Sequence, residues 1–272
     1  MRSSITRSLR QATKAVAAAA DLVRRPDPGI VVLIYHRVGA GSGGQMDLPP
    51  ERFDRQLRWL VEHHRVLDLD AAADELAGGT TVEPGVVLTF DDGTTDWVDH
   101  VLPALDRHRV PATFYVATDF VERNLPFPAD GRPLSWAGVR ELAASDLVTI
   151  GSHTHTHALL DRLPADQVAD ELDRSVELLA EHTGSVVDHF AYPKAVAGSD
   201  VAERAVRGRF RTAVLAGTVA NGPGTDLHRV ARSPIQAADT DRWFRRKVLG
   251  GLRYEDALRD AANRFRYRNA TT

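Results

Sequence analysis

The segment Val86–Asp92, with the sequence VVLTFDD, predicts a strand whose far end carries two adjacent carboxylates. It follows the turn signal Pro84-Gly85 and begins with three apolar residues. A continuous apolar run of this kind is typical of a strand buried on both faces, as in a parallel sheet. In α/β folds the active site lies at the carboxyl ends of such strands. We therefore expect Asp91 and Asp92 to mark a functional edge of a parallel sheet.

Strand-like and helix-like segments alternate on both sides of this strand. Further strands are predicted at 31–36, 65–69, 112–116, 147–153, 186–192, 212–216 and 229–235, with helical segments between most of them. About six to eight strand–helix units fit a (β/α) barrel. The competing architecture is an open doubly wound sheet, which usually has a glycine-rich turn after its first strand. The segment GAGSGG at 39–44 lacks the G-x-G-x-x-G spacing, so we favour the barrel.

The composition excludes several chemistries. The 272 residues include no cysteine, which rules out disulfides, thiolate nucleophiles, zinc fingers and iron–sulfur clusters. They include 11 histidines, so any metal must be held by imidazole and carboxylate groups. The net formal charge of −3 argues against nucleic-acid binding across the whole surface. Hydrophobic residues make up 43% of the chain, which predicts a packed core.

The two ends of the chain differ in charge from its middle. Residues 1–28 are basic and predict an amphipathic helix rather than a signal peptide, because the apolar stretch Ala15–Val23 is weak and interrupted by Asp21. Residues 241–272 predict a basic helical extension, and 29–240 form the barrel. We expect solvated basic faces, with peripheral contact to an anionic membrane surface as the alternative. Without a stretch of roughly 20 apolar residues, a cytoplasmic or membrane-associated location is favoured.

Asp91 and Asp92 form an adjacent carboxylate pair. Their mutual repulsion costs energy unless they share a cation or a proton. Because strand side chains alternate between faces, both can serve one site only if the chain turns there, and Gly93 permits such a turn. One carboxylate would then bind a metal while the other handles a proton. The alternative is a helix N-cap with one extra acid in the first turn.

A histidine cluster lies at Gly151–His157, with the sequence GSHTHTH. In an extended strand, residues two apart lie on one side about 6.6 Å apart, so His155 could share an ion with His153 or His157. In a helical turn, His153 and His157 would pair and His155 would point away. A histidine-rich surface loop is the structural alternative. Two histidines and one carboxylate would suit a divalent ion with positions open for water and substrate, and no G-x-S-x-G elbow is present.

These segments resemble the polysaccharide deacetylase family, also known as the NodB-homology domain or carbohydrate esterase family 4. Thr89–Gly93 (TFDDG) resembles its first motif, and His153–His157 (HTHTH) resembles its second, H-[ST]-x-x-H. Ala112–Val116 (ATFYV) and Phe190–Pro193 (FAYP) are similar to further family segments. The FAYP form resembles a branch that includes poly-N-acetylglucosamine deacetylases. The resemblance spans roughly residues 30–235.

The resemblance implies a distorted (β/α) barrel of roughly seven strands and a metal-dependent hydrolase that removes acetyl groups from N-acetylated sugars. It implies that Asp91 is the general base toward metal-bound water. It assigns one divalent ion, usually zinc but in some members cobalt, nickel or iron, to Asp92, His153 and His157. The backbone N–H of Lys194 would help to hold the oxyanion, which can contribute about 10²–10³ in rate. The implied partner is an acetylated glycan or sugar conjugate.

The sequence departs from the family pattern at two places. Many members have R-x-P-Y as the third motif, whose arginine orients the catalytic aspartate, whereas this chain has AYPK at 191–194. The histidine of a late L-x-H motif, the family's general acid, has no clean match. His228 is the only histidine after His189 and is therefore the candidate acid. Otherwise, metal-bound water or another group must protonate the leaving amine.

Three more residues are candidates for lining the substrate site. His36 ends the first predicted strand, so we expect its side chain near the barrel mouth. Trp97, in the first turn after TFDDG, could stack on a sugar ring, with helix packing as the alternative. Tyr192, in the FAYP segment, is the third candidate.

The function predicted from these residues is hydrolysis of N-acetyl groups on a sugar or polysaccharide. An O-acetyl sugar ester is the alternative substrate, because a hydroxyl leaves more easily than an amine and needs a poorer general acid. A non-catalytic glycan-binding relative is the other alternative, although a binding protein would not need so costly a cluster of charges.

Overall fold

The computed structural model describes residues 14, 15, 17–19, 21, 26–79 and 81–253. The strands in this part of the chain are β1 Ile30–Tyr35, β2 Arg37–Val38, β3 Asp47–Leu48, β4 Val66–Leu67, β5 Gly85–Asp92, β6 Ala112–Val116, β7 Val148–Ser152, β8 His189–Ala191, β9 Thr212–Ala216 and β10 Val230–Pro234. The helices are α1 Pro50–His63, α2 Leu69–Gly78, α3 Leu102–His108, α4 Thr118–Glu122, α5 Trp136–Ala143, α6 Ala165–Thr183, α7 Asp200–Arg207 and α8 Asp241–Val248.

The main sheet closes on itself. Its parallel strands run in the order β1-β10-β9-β8-β7-β6-β5, and β5 pairs back with β1. The closing register runs from Ile30 opposite Gly85 to Tyr35 opposite Phe90. The short strand β4 adds a pairing at the start of β5. The predicted barrel of roughly seven strands is therefore confirmed, and the open doubly wound sheet is excluded.

Two layers of apolar side chains hold the barrel together. The outer layer lies between the sheet and the helices and includes Leu33 and Phe90, which are fully buried. The inner layer fills the barrel with Val32, Val87 and Val214 and is joined by residues of α2. Because side chains alternate along a strand, the residues of β5 that share the inner face with Val87 are Thr89 and Asp91. The alternation of side chains along β5 therefore places the Asp91 carboxylate inside the barrel, at the end where the strands have their carboxyl termini.

Some elements are shorter or less regular than the sequence predicts. The strand predicted at 65–69 contains only Val66–Leu67, and the strand predicted at 186–192 contains only His189–Ala191. The helix predicted after TFDDG begins with a wide π-helical turn, Trp97–Val101, before α3. Pro103 is the second residue of α3, just after this turn, and because proline has no N–H it cannot donate the hydrogen bond that a regular helix would form at that position. The two strands are short because only these residues pair with neighbouring strands. The irregular helical turn lies just before this proline.

The described residues of the amino-terminal segment pack against the carboxyl-terminal helix. The ammonium group of Lys14 lies 2.7 Å from the Asp239 carboxylate, and the ammonium of Lys247 lies 2.9 Å from it. All three side chains are buried. Two basic residues of the predicted solvated ends therefore neutralise an internal carboxylate instead.

The domain boundaries predicted at 28/29 and 240/241 stay predictions. Much of both predicted end helices lies outside the described residues, including everything after Arg253. Within the described part of the chain, no helix combines the length and apolar character that crossing a bilayer requires.

Candidate active site

The end of β5 is turned so that its two carboxylates serve different positions. Asp91 is buried and lies inside the barrel, whereas Asp92 is half-buried at the rim. Asp92 has a backbone φ of 94° and Gly93 a φ of 115°, so the chain turns sharply at both residues. The sequence predicted such a turn at Gly93; the structure extends it to Asp92, a conformation that costs strain in a residue with a Cβ.

Asp92, His153 and His157 bring their donor atoms together. Nε2 of His157 lies 3.6 Å from Oδ1 of Asp92, and Nε2 of His153 lies 3.8 Å from the same oxygen. The three donor atoms lie within 4.8 Å of one another. Two ligands at about 2.0–2.2 Å from one ion in tetrahedral geometry are separated by roughly 3.3–3.6 Å. The spacing and the imidazole–carboxylate chemistry of this cluster fit a divalent metal ion.

The histidine pair forms without a helix. The chain from Thr154 to His157 contains no helical turn, and these two residues have positive φ values of 65° and 63°. Two left-handed residues fold the segment back, so His153 and His157 meet with ring centroids 4.9 Å apart. The pairing matches the four-residue spacing of the helical alternative, but the backbone achieves it by a different route. His155 points away, as that alternative expected.

A glutamate of α6 holds this loop in place. Glu171 accepts hydrogen bonds from the backbone N–H of Thr156 at 2.8 Å and from its hydroxyl at 2.6 Å. The backbone N–H of His155 also donates to the Glu171 carbonyl at 3.1 Å. These bonds offset the strain at the neighbouring left-handed residues. The sequence analysis missed Glu171, which appears in the sequence only as one polar residue in an amphipathic helix.

The two clustered histidines are held in the neutral form. Nδ1 of His153 lies 2.8 Å from the Ala191 carbonyl, which leaves Nε2 facing Asp92. Burial lowers the pKa of His153, and the two neighbouring aspartates only partly oppose that effect. Burial, together with His153, lowers the pKa of His157 to about 4. Neutral imidazoles with free Nε2 atoms are the form that binds metal ions.

Arg232 of β10 forms a two-bonded ion pair with Asp91. Its Nη1 and Nη2 donate to the two carboxylate oxygens at 2.6 and 2.7 Å. Nη1 also donates to the Thr89 hydroxyl at 3.0 Å, and the guanidinium lies over the Tyr115 ring. Burial raises the pKa of Asp91, but Arg232 more than offsets this and the pKa falls to about 2. Asp91 is therefore ionised at neutral pH.

This ion pair supplies what the AYPK segment lacks. The sequence analysis found no arginine at the third motif to orient Asp91; the structure provides one from another strand. The only sequence signal is a lone arginine at the centre of the strand predicted at 229–235, where a charged residue needs a buried partner. Choosing Asp91 as that partner requires knowledge of the barrel register.

His36 lies at the same rim as Asp91. Tyr35 pairs with Phe90, so the next residues of the two chain segments, His36 and Asp91, lie side by side in the same register. The His36 ring is one of the groups that lower the pKa of Asp91, after Arg232 and His153. Its Nδ1 atom is buried and has no hydrogen-bond partner among the described residues. The register thus places His36 at the mouth of the barrel, and its contact with substrate stays a prediction.

Trp97 and Tyr192 do not offer a surface to substrate. Trp97 is fully buried, packs against Phe90 and Phe114, and donates from Nε1 to the His36 carbonyl at 2.6 Å. Tyr192 is also buried and packs edge-on against Phe190. The expectation that they line the site is therefore corrected. Both rings are large and mostly apolar. They pack in the core because removing their surface from water stabilises the fold.

His228 lies at the opposite end of the barrel. It precedes the first residue of β10, and all barrel strands run parallel with Asp91 and Asp92 at their carboxyl ends. Its Nε2 lies 2.8 Å from the carbonyl of Phe210, which precedes β9. The expectation that His228 is the general acid is corrected, because the amino-terminal and carboxyl-terminal rims lie on opposite sides of the barrel.

Lys194 and Phe120 border the cluster from two sides. Lys194 has a φ of 53°, and its ammonium is among the groups that lower the pKa of His157. Phe120 presents its ring at 89° to the His157 ring, with centroids 6.3 Å apart. Phe120 in turn stacks on Phe127 with centroids 4.1 Å apart. An aromatic pair therefore stands beside the histidines, and the sequence analysis did not identify it.

Comparison with known proteins decides the family. The family model for polysaccharide deacetylases matches residues 78–212, which contain Asp91, Asp92, His153 and His157. The chain belongs to the polysaccharide deacetylase family. It is accordingly a hydrolase of the polysaccharide deacetylase type. His36 and Arg232 lie outside the matched segment.

Relatives of this deacetylase include an Escherichia coli poly-β-1,6-N-acetyl-D-glucosamine N-deacetylase, 30% identical over 145 residues. The Bacillus subtilis peptidoglycan-N-acetylmuramic acid deacetylase PdaA is 31% identical over 137 residues. These stretches cover 47% and 50% of this chain, but only 21% and 44% of the two relatives. The solved structure of IcaB from Ammonifex degensii matches with a TM-score of 0.72 and 26% identity, covering 83% of this chain and 98% of IcaB.

Proposed function

We propose that this deacetylase hydrolyses N-acetyl groups on an N-acetylated glucosamine-type glycan in a metal-dependent reaction. The observation that carries the proposal is the buried Asp91–Arg232 ion pair, whose aspartate directly precedes Asp92 of the Asp92, His153 and His157 cluster. In this proposal the ionised Asp91 carboxylate, oriented by Arg232, accepts a proton, and Asp92 belongs to a cation-binding set. This is the division of roles that the adjacent aspartates suggested.

Asp92, His153 and His157 would hold the metal ion. When bound, a divalent ion lowers the pKa of water toward about 7 and polarises a carbonyl oxygen. The cluster suits this role because both imidazoles are neutral and their Nε2 atoms face Asp92. We propose zinc as the native ion, with cobalt, nickel and iron compatible with the same donor set.

Asp91 accepts the proton of the attacking water in this proposal. The carboxylate is ionised because Arg232 holds its pKa to about 2. Both of its oxygens are bonded to Arg232, so the carboxylate is fixed in one orientation rather than free to rotate. A fixed base reduces the reorganisation needed during the reaction. Arg232 is thus a positioning residue.

His36 delivers a proton to the leaving nitrogen in this proposal. It is the described histidine that lies beside Asp91 without belonging to the metal-type cluster. It takes the role that the sequence analysis gave to His228. The backbone N–H of Lys194 would bind the oxyanion in this proposal.

The similarity to the E. coli and B. subtilis enzymes supports an N-acetylated glycan as the substrate class. Phe120 supports the same class, since an aromatic ring at the site can pack against the apolar face of a sugar. The substrate panel should therefore contain β-1,6-linked N-acetylglucosamine oligomers, peptidoglycan fragments and matched O-acetylated sugars.

The test is acetate release from this panel by zinc-loaded protein. We expect release from N-acetylated oligomers, and loss of about 10³-fold or more in Asp91→Asn. The matched control is Asp106→Asn, which removes an exposed carboxylate of α3 and should retain wild-type activity. Release only from O-acetylated sugars would replace the proposal with the ester alternative. Glycan binding without any release by the zinc-loaded wild type would support the non-catalytic alternative.

A further inference from the structure

A second group of metal-type side chains lies beside the first. Asp119 and Glu122 of α4 and His155 each bring one donor atom to within 4.8 Å of the other two. None of the three belongs to the cluster assigned to the reaction. We propose that Asp119, Glu122 and His155 form a second divalent-cation site, which fixes the loop that carries His153 and His157.

The imidazole of His155 is oriented for this role. Its Nδ1 lies 2.9 Å from the hydroxyl of Thr118, a buried residue. When Nδ1 donates to that hydroxyl, Nε2 carries the lone pair. Nε2 faces Oδ1 of Asp119 at 3.8 Å and Oε2 of Glu122 at 4.0 Å. Histidine ligands of metals are commonly held in this way, with the other ring nitrogen hydrogen-bonded to the protein.

Each of the two carboxylates has one oxygen paired with an arginine, and its other oxygen faces His155. Oδ2 of Asp119 lies 3.3 Å from the Arg123 guanidinium, while Oδ1 faces the imidazole. Oε1 of Glu122 lies 3.0 Å from the Arg174 guanidinium, while Oε2 faces the imidazole. The two arginine side chains are 64% and 46% exposed, so solvent screens their repulsion toward a cation. Both carboxylates are therefore oriented without using their His155-facing oxygens.

The backbone also builds this site before any ion binds. The N–H of Asp119 donates to the His155 carbonyl at 2.9 Å, and the N–H of Thr118 donates to the Thr154 carbonyl at 3.4 Å. These bonds tie the first turn of α4 to the loop after β7. A cation held between the two segments would cross-link them next to Thr154, whose backbone has a positive φ. Since His155 lies between His153 and His157, this would stabilise the reaction cluster.

The gaps between His155 and the two carboxylates are too long for hydrogen bonds and are wide enough to hold a cation. An N–H···O hydrogen bond spans about 2.7–3.2 Å, whereas Nε2 of His155 lies 3.8 and 4.0 Å from the two carboxylate oxygens. Donors on either side of one ion, each about 2.0–2.2 Å from it, span up to roughly 4.4 Å. The reaction cluster shows similar gaps of 3.6 and 3.8 Å. One imidazole and two carboxylates suit zinc, cobalt or manganese.

Zinc stoichiometry of the full-length protein tests the proposal. After removal of metal with a chelator, isothermal titration with Zn²⁺ should show two ions per chain for the wild type. Glu122→Gln and Asp119→Asn should each bind one ion, or weaken one of the two binding steps at least tenfold. Asp92→Asn should lose the other step and keep this one. Circular dichroism confirms that the variants are folded.

Glu177→Gln is the matched control. Glu177 is an exposed carboxylate that lies 3.9 Å from Nη1 of Arg174, whereas Glu122 lies 3.0 Å from Nη2 of the same arginine. Glu177 is not part of the group that Glu122 forms with Asp119 and His155. It should bind two zinc ions. Binding of one ion by the wild type, or of two ions with wild-type affinities by both Glu122→Gln and Asp119→Asn, would overturn the proposal. Because the readout is stoichiometry, a wild type that binds two ions but releases no acetate would contradict only the proposed function.

Discussion

Asp91 and Arg232 are 141 residues apart in the chain and form a buried, two-bonded ion pair inside the barrel, at 2.6 and 2.7 Å. The pair joins β5 to β10 across the interior, since β1 lies between these strands in the sheet. It keeps Asp91 ionised despite its burial. The orientation and the charge of the proposed base therefore depend on one residue that lies outside the matched family segment.

Arg232→Met should lower kcat/KM for acetate release by about 10²-fold, because Asp91 loses its fixed orientation. The pH profile gives the specific signature. Burial raises the pKa of Asp91 and Arg232 lowers it, so removing Arg232 raises that pKa and moves the acid limb of the profile to higher pH. Arg232→Lys should recover part of the activity at higher pH. An unchanged acid limb in an active, folded Arg232→Met variant would contradict the assignment.

His36→Gln should affect the hydrolysis of N-acetyl and O-acetyl substrates to different degrees, because their leaving groups differ. An amine leaves only after protonation, whereas a sugar hydroxyl leaves more easily. We expect N-acetyl hydrolysis to fall by about 10²–10⁴-fold and O-acetyl hydrolysis to fall much less. The comparison is His228→Gln, which alters a histidine at the opposite rim and should leave both activities near wild type. Equal losses on both substrates in His36→Gln would remove the proposed proton-donor role.

Metal removal should abolish acetate release, and added zinc should restore it. Zinc held by His153, His157 and Asp92 would join β5 to the loop after β7, so loading should also raise the melting temperature. Zinc at 100 times its dissociation constant stabilises a folded protein by about 2.7 kcal/mol per site. In Asp92→Asn, zinc should neither restore activity nor give the stabilisation that belongs to this cluster. Full activity in the presence of an excess of chelator would contradict metal dependence.

Phe120→Ala should raise KM for N-acetylglucosamine oligomers by up to about tenfold with a smaller effect on kcat. The reason is that an aromatic contact contributes about 0.5–1.5 kcal/mol, and Phe120 stands at the edge of His157 without belonging to the cluster. Phe120→Tyr keeps the ring and should behave like the wild type. The steady-state parameters of both variants check this. A fall in kcat alone would instead indicate that Phe120 only positions His157.

Asp239→Asn should destabilise the fold by about 3–5 kcal/mol, since it removes a buried carboxylate that both Lys14 and Lys247 contact. Burial raises the pKa of Asp239, but Lys247 and Lys14 outweigh it and lower the pKa overall. Its contribution is therefore present above the unfolded-state pKa of about 3.9 and is lost as pH falls through the native value. Urea unfolding at neutral and acidic pH measures both effects.

Asp226→Asn is the comparison for that experiment. It breaks an ion pair with Arg207 in which both side chains are 40% exposed, so the expected cost is below about 1 kcal/mol. If the two variants unfold at the same urea concentration, the buried network does not anchor the ends of the chain to the barrel.

The sequence by itself determined the fold class and predicted the four residues on which the proposed site is built. Alternating apolar runs and helical segments gave the barrel, because burial on both faces of a parallel strand leaves a pattern in consecutive residues. Asp91, Asp92, His153 and His157 were found for a similar reason. Each pair is only one or four residues apart, so a single turn brings its members together. The absence of cysteine had already limited any metal site to imidazole and carboxylate ligands.

Only the tertiary structure decided which distant residues complete the site. Arg232 and His36 reach Asp91 through the pairing of β1 with β5 and β10, a register that closes only when all seven strands are in place. In the closed barrel Trp97 and Tyr192 are buried, and His228 lies at the rim opposite Asp91. The closed barrel also places Glu171 of α6 where it accepts hydrogen bonds from His155 and Thr156, which lie between the left-handed residues Thr154 and His157. Local spacing fixes which residues share a turn, whereas the burial and pairing of distant side chains depend on the packing of the whole barrel.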